Sequence, residues 1–221
     1  MDTKFNYLIC DVDGVIFDRM PMISTALVEA MKSKGVSEAL VRDFLRGSLG
    51  TPLEIQIRGI MASAGKSIKS DEVKQVIDDF RKAMAAGGDK SAIFPGVKAT
   101  LDKLKSQGVA IMTSSGSSTW KIEELFEQFK LPHDVLLGSD RILKGEAHID
   151  FFADHFAIAR PEFCRRAAFV GDGTADMEIA RRNEIFAIGI TNSLEENELR
   201  QAGAQAVIGS FSELGRFFLK N

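Results

Sequence analysis

Short apolar runs recur along the chain, and several of them stop at a polar residue that packing alone does not call for. Tyr7-Leu8-Ile9-Cys10 reads as a buried strand ending at Asp11, and Gly14 frees the chain to turn. From about Met20 to Gly88 the period becomes that of helices. Ala26, Leu27, Ala30 and Met31 mark a first helix stopped by Gly35, while Val41, Phe44 and Leu45 mark a second ending near Gly47. Pro52 suits the first position of a helix over Leu53 to Ala64. Ser70 suits the N-cap of another over Glu72 to Ala86, which Gly87-Gly88 breaks. No strand is expected in this stretch.

After Phe94-Pro95-Gly96 helices and strands alternate. A helix over Val97 to Gln107 stops at Gly108, and the run Val109-Ala110-Ile111-Met112 ends in Thr113-Ser114-Ser115-Gly116. A helix over Thr119 to Phe129 precedes the strand Val135-Leu136-Leu137, and a helix is expected around Asp150 to Ala159. The strand Ala167 to Val170 ends at Gly171-Asp172, followed by a helix over Ala175 to Arg182 and a strand over Phe186 to Ile190. Leu194 to Ala202, Ala206 to Ile208 and Ser212 to Lys220 complete the series. Buried strands alternating with helices predict an α/β fold, a Rossmann-like parallel sheet with helices on both faces. The helical stretch interrupts that alternation just after the first strand. The expected organisation is therefore a core of residues 1–17 and 91–221, with an α-helical cap of residues 18–90 inserted into it.

Composition narrows the partners. The 221 residues are 45% hydrophobic and 27% charged, with a formal net charge of -3 and no basic run, so a nucleic-acid partner is not expected. No apolar stretch approaches the roughly 18 residues that span a bilayer. Met1 to Tyr7 lacks the form of a secretory signal, and Cys10 and Cys164 are too few for a disulfide framework, so a cytoplasmic protein is expected. It would be a monomer or a homodimer.

Polar residues gather where the strands stop: Asp11 and Asp13, then Thr113 to Ser115, then Asp172 and Asp176, with Lys144 between the last two groups. In an open parallel sheet, ligands bind beyond the carboxyl ends of the strands, so these groups can converge. Several carboxylates in one place call for a cation, and an all-oxygen set favours Mg2+. A carboxylate can also attack phosphorus, with a hydroxyl, backbone N–H groups and a lysine stabilising the transferring group. His133, His148 and His155 have no partners at ligand spacing and are read as surface or core residues.

In this set the chain resembles the haloacid dehalogenase superfamily, in its phosphoglycolate-phosphatase-like and β-phosphoglucomutase-like branch. Asp11-Val12-Asp13-Gly14-Val15 matches the first motif, Thr113 the second, Lys144 the third and Gly171-Asp172-Gly173-Thr174-Ala175-Asp176 the fourth, in order along the chain. The resemblance implies that Asp11 attacks phosphorus and that Asp13 is the general acid and base. It implies magnesium held by Asp11, the Asp13 carbonyl and Asp172, with Asp176 orienting the site from behind. Thr113, the Ser114 N–H and Lys144 would bind phosphoryl oxygens. An acid at Asp13 favours hydrolysis of a small phosphorylated metabolite over dehalogenation. The cap loop Arg46 to Pro52 is expected to face the site, with Arg46 and Gly47 as substrate-binding candidates; a solvated helix-end cation is the plain alternative for Arg46. One departure stands out: the family usually follows its lysine with proline, and here Gly145 follows. A β-phosphoglucomutase-like phosphotransferase remains an alternative, as does a non-catalytic phospho-ligand-binding or regulatory protein on the same fold.

Overall fold

The computed structural model describes residues 5–87 and 91–218. Residue 90 of the expected boundary, Gly88, the chain ends and the Lys220 end of the last helix lie outside them.

β1 (Tyr7–Cys10) is buried throughout, as its unbroken apolar run requires of a strand covered on both faces. It lies in the middle of a six-stranded sheet of order β3-β2-β1-β4-β5-β6. The other strands are β2 (Ala110–Ser114), β3 (Val135–Leu137), β4 (Ala167–Gly171), β5 (Phe186–Ile190) and β6 (Ala206–Ile208). Every pairing is parallel, and Cys10 lies level with Thr113 of β2 and Val170 of β4. The expected α/β fold is therefore observed. Leu8, Cys10, Ile111 and Val170 pack on one face with α5 (Val97–Ser106), α6 (Thr119–Phe129) and the C-terminal Phe211 and Phe218. Tyr7, Ile9, Met112 and Phe169 pack on the other face, against α7 (Glu146–His155), α8 (Arg160–Arg166), α9 (Thr174–Arg182) and α10 (Glu196–Ala202).

Between β1 and β2 lie α1 (Met20–Met31), α2 (Glu38–Gly47), α3 (Leu53–Ser63) and α4 (Ser70–Ala86). Their apolar stripes close on one another through Leu27, Met31, Val41, Leu45, Ile57, Ile60, Val73 and Val76, a cluster separate from the two that flank the sheet. The outgoing and returning chain run side by side: Asp18 N–H donates to Ala92 O at 2.9 Å and Phe94 N–H to Ile16 O at 3.0 Å. α11 (Gly215–Phe218) follows a 3-10 turn at Phe211–Leu214. Among the described residues no helix is long and apolar enough to cross a membrane.

Several boundaries differ from the sequence reading. α7 starts at Glu146, ahead of the expected Asp150, because Gly145 takes the cap position. α8, opened with proline in its first turn, was not expected. Ser70 is inside α4, whose cap is Lys69: its backbone N–H donates to Glu72 Oε2 at 3.1 Å. Pro52 caps α3 from one residue outside it. β2 runs on to Ser114, two residues past the apolar run, because pairing with β3 through Ser114 and Leu137 satisfies its backbone.

Candidate active site

The strand order reverses about β1, and the residues that follow β1 and β4 meet in the crevice this creates. Asp11 continues the ladder by donating its N–H to Val170 O at 2.9 Å. Asp172 follows β4, and carboxylate oxygens of Asp11, Asp172 and Asp176 all lie within 4.8 Å of one another. This approach depends on Gly14, whose φ is +85°; a Cβ there would stand 2.0 Å from Asp172 Oδ2. Asn192 Nδ2 donates to Gly14 O at 2.7 Å, and the Ser193 hydroxyl donates to Asp172 Oδ2.

Lys144 enters this cluster with its side chain fully buried. Its Nζ lies 3.0 Å from Asp11 Oδ1 and 2.6 Å from Asp176 Oδ1. Burial alone would pull the Lys144 ammonium down, but the Asp11 and Asp176 carboxylates hold its pKa above the usual lysine value. Burial pushes Asp11 well up, aided by the three neighbouring carboxylates and opposed by Lys144. Asp172 rises to about 7 through burial and then Asp176, against the Ser193 hydrogen bond and Lys144. Three buried carboxylates thus face one ammonium, an excess that either takes up protons or is met by a cation. The donors are all hard oxygens, which suits a magnesium- or calcium-like ion. Asp176 is the least free to ligate one: Oδ1 meets Lys144 and Oδ2 accepts the Gly173 N–H at 3.1 Å.

Asp13 lies nearer the surface than Asp11, its side chain 11% exposed. Its Oδ1 accepts from Arg19 Nη1 at 2.9 Å and its Oδ2 from Ser117 Oγ at 2.5 Å. Neither Arg19 nor Ser117 is singled out by the sequence, and no spacing rule couples positions 104 apart.

The β2 end differs from expectation. Thr113 lies level with Cys10, and its Oγ1 accepts the Leu137 N–H at 3.1 Å. Ser114 Oγ is engaged with His148 Nδ1 at 2.8 Å. The Thr113 oxygen thus serves neighbouring backbone and the Ser114 hydroxyl serves the core, while the Ser114 N–H, the group expected to bind phosphoryl oxygen, is part of neither contact. The first residue beyond the strand is Ser115, 1% exposed, whose Oγ accepts the Ser117 N–H at 3.1 Å. The loop Ser115 to Ser117, through Ser117, is what reaches the Asp11-Val12-Asp13 turn. The available signal was the pairing register: three hydroxyl residues follow Met112, and only the strand's true end selects among them.

The cap loop approaches the core at several points, and the singled-out Arg46 and Gly47 are not the ones nearest the carboxylates. Arg46 is exposed and pairs with Glu198 at 3.0 Å, while a Cβ on Gly47 would meet nothing within 4 Å. Closer to the site, a Cβ on Gly50 would stand 2.9 Å from Asp176 Oδ2, and one on Gly173 would stand 2.5 Å from Leu49 O. Beside the loop a cavity of about 300 Å³ is lined by Gly14, Met20, Arg42, Leu45, Arg46 and Ser193 among others.

A family model described as haloacid dehalogenase-like hydrolase matches residues 8–190. Probable phosphatase IndB of Dickeya dadantii is 26% identical over 212 residues, which cover 94% of this chain and 90% of that protein. A phosphoglycolate phosphatase of Haemophilus influenzae is 21% identical over 224 residues, covering 97% and 98%. The crystal structure of a hydrolase from Pseudomonas syringae superposes with a TM-score of 0.81 at 18% identity, over 96% of each chain. The chain belongs to the haloacid dehalogenase-like hydrolase family.

Proposed function

We propose that the protein is a magnesium-dependent phosphatase that hydrolyses a small phosphate monoester through an aspartyl-phosphate on Asp11. The observation that carries this reading is the meeting of Asp11, Asp172, Asp176 and Lys144 in one buried cluster with Asp13 on the next turn of chain. Family membership and relatives named as phosphatases support it.

In this reading an Asp11 carboxylate oxygen attacks phosphorus, and the ester oxygen leaves with a proton from Asp13. Asp13 then takes a proton from water as that water attacks the aspartyl-phosphate, which releases inorganic phosphate and restores Asp11. Arg19 and Ser117 aim the Asp13 carboxylate through both of these transfers. Asp11, Asp172 and the Asp13 carbonyl would hold the magnesium, which would supply positive charge to offset that of the transferring phosphoryl group. Lys144 adds a second positive charge, and Asp176 fixes the Lys144 ammonium in place. In this reading the phosphoryl contact is made by the Ser115 hydroxyl, at the tip of the strand, and the Gly116 N–H, with the Ser114 N–H beside them. We read residues 18–90 as the cap, with the cavity beside Met20, Leu45 and Arg42 receiving the leaving group.

The test is release of p-nitrophenol from its phosphate ester with and without magnesium. Turnover is expected in the wild type, lost on chelation, restored by magnesium, and reduced by at least ~10³-fold in Asp11→Asn. Equal release by wild type and Asp11→Asn would overturn the reading. A panel of phosphorylated metabolites, phosphoglycolate included, ranked by kcat/KM would then identify the substrate.

A further inference from the structure

Lys144 is carried by irregular chain between β3 and α7, yet its ammonium must meet two carboxylates at fixed distances. A lysine side chain has four rotatable bonds, so a loose loop would surrender that geometry. The residue after it offers no rigidity of the familiar kind. Gly145 has φ +147° and ψ -146°, a conformation closed to proline, whose ring holds φ near about -65°. The proline expected from the family pattern is therefore excluded by the path the chain takes here.

Two side-chain bridges tie this loop to the end of β2. Ser139 Oγ donates to Ser115 O at 2.9 Å and accepts the Lys144 N–H at 3.2 Å. On the other side, His148 is wholly buried in the first turns of α7. Its Nε2 lies 2.8 Å from Ile142 O and its Nδ1 2.8 Å from Ser114 Oγ. A carbonyl only accepts, so Nε2 carries the proton, and Nδ1 accepts from the Ser114 hydroxyl. A neutral imidazole fits this arrangement, and burial, with the nearby Lys144 charge, holds the pKa of His148 down to about 4 against the hydrogen bonds to the Ile142 and Gly138 backbone. The ring thus joins Ser114, the last residue of β2 and immediately before the loop that meets Asp13, to the carbonyl two residues before Lys144.

We propose that His148 is a positioning residue for Lys144, its imidazole clamping Ile142 to Ser114 so that the ammonium is held against Asp11. It stands in for the backbone rigidity that Gly145 gives up. The proposal rests on the phosphatase reading for its kinetic consequence, but not for its structural one.

The experiment is a double-mutant cycle of His148→Leu with Lys144→Ala, assayed with p-nitrophenyl phosphate and magnesium, with circular dichroism to confirm folding. His148→Leu is expected to lower kcat about tenfold or more, and to cost nothing further once Lys144 is alanine. His148→Gln, which keeps a donor for Ile142 O, should recover part of the loss. A His148→Leu enzyme with wild-type kcat, or one losing the same factor in both backgrounds, would overturn the proposal. Should His148→Leu fail to fold, Ser114→Ala takes its place in the cycle with the same two outcomes. In parallel, amine-reactive labelling read by mass spectrometry needs no turnover. Lys144 should be protected in the wild type and labelled about tenfold faster in His148→Leu, because loosening the loop raises its open population. Equal labelling sinks the clamp, whereas an inactive wild type with the expected labelling sinks only the phosphatase reading.

Discussion

The two sides of the site are built by different means. On the β1 and β4 side, Asp11 and Asp172 follow directly from their strands, and the glycine turn at Gly14 brings backbone and carboxylate together. Very little intervening structure is needed, because adjacent parallel strands in register deliver their ends to the same place. On the β2 and β3 side nothing arrives so directly. Thr113 accepts from Leu137 and Ser114 meets His148, Ser115 takes the strand tip, and Lys144 reaches Asp11 from a loop held by Ser139 and His148. One side is positioned by the sheet, the other by a hydrogen-bonded scaffold around it.

Substitutions should separate the two sides, beginning with the largest effect. Asp172→Asn is expected to lower kcat/KM by ~10³-fold and to raise the magnesium concentration needed for half activity, since no neighbouring strand offers a substitute. Lys144→Ala should cost ~10²–10³-fold in kcat with folding intact, measured in the same assay with melting as control. A pH series isolates the scaffold. His148 is neutral when folded, with a pKa near 4, while its unfolded value is the ordinary 6.5, so the unfolded chain binds the extra proton between these values. Wild-type stability should therefore fall as pH drops from 6.5 toward 4, by at most about 3 kcal/mol more than in His148→Gln, whose side chain does not titrate. Denaturant melts at each pH check this, and parallel curves would refute it. Thr113→Val should lose about 1–2 kcal/mol of stability by stripping the Leu137 N–H of its acceptor, while kcat holds. Ser115→Ala should do the reverse, lowering kcat with little change in melting. Arg46→Ala is the smallest: its exposed pair with Glu198 predicts no measurable change in melting and less than about twofold in kcat/KM.

The sheet was legible in the chain because buried strands between helices leave continuous apolar runs, and all six strands fall where such runs occur. The helical stretch between β1 and β2 was legible for the same reason, its period being 3.6. α8 was not, since a seven-residue helix with two buried apolar residues, Phe163 and Cys164, has too short a stripe to show a period. Ser117, Ser193 and His148 were hidden because each acts through a partner distant in sequence, and Arg19, although near Asp13 in the chain, because no helix or strand period pairs the two.

By itself the sequence determined the α/β architecture, which rests on local periodicity, and set Asp11, Asp13 and Asp172 where strands stop, while Lys144 was joined to them only through the family resemblance. Only the tertiary structure decided which of three consecutive hydroxyls stands at the tip of β2, which loop residues touch Asp176, and how Lys144 is held beside Gly145. The physical reason is that side chains alternate along a strand, so the identity of the tip residue depends on where pairing with β3 ends. That end point is settled by backbone hydrogen bonds between distant segments and by the buried imidazole that anchors them.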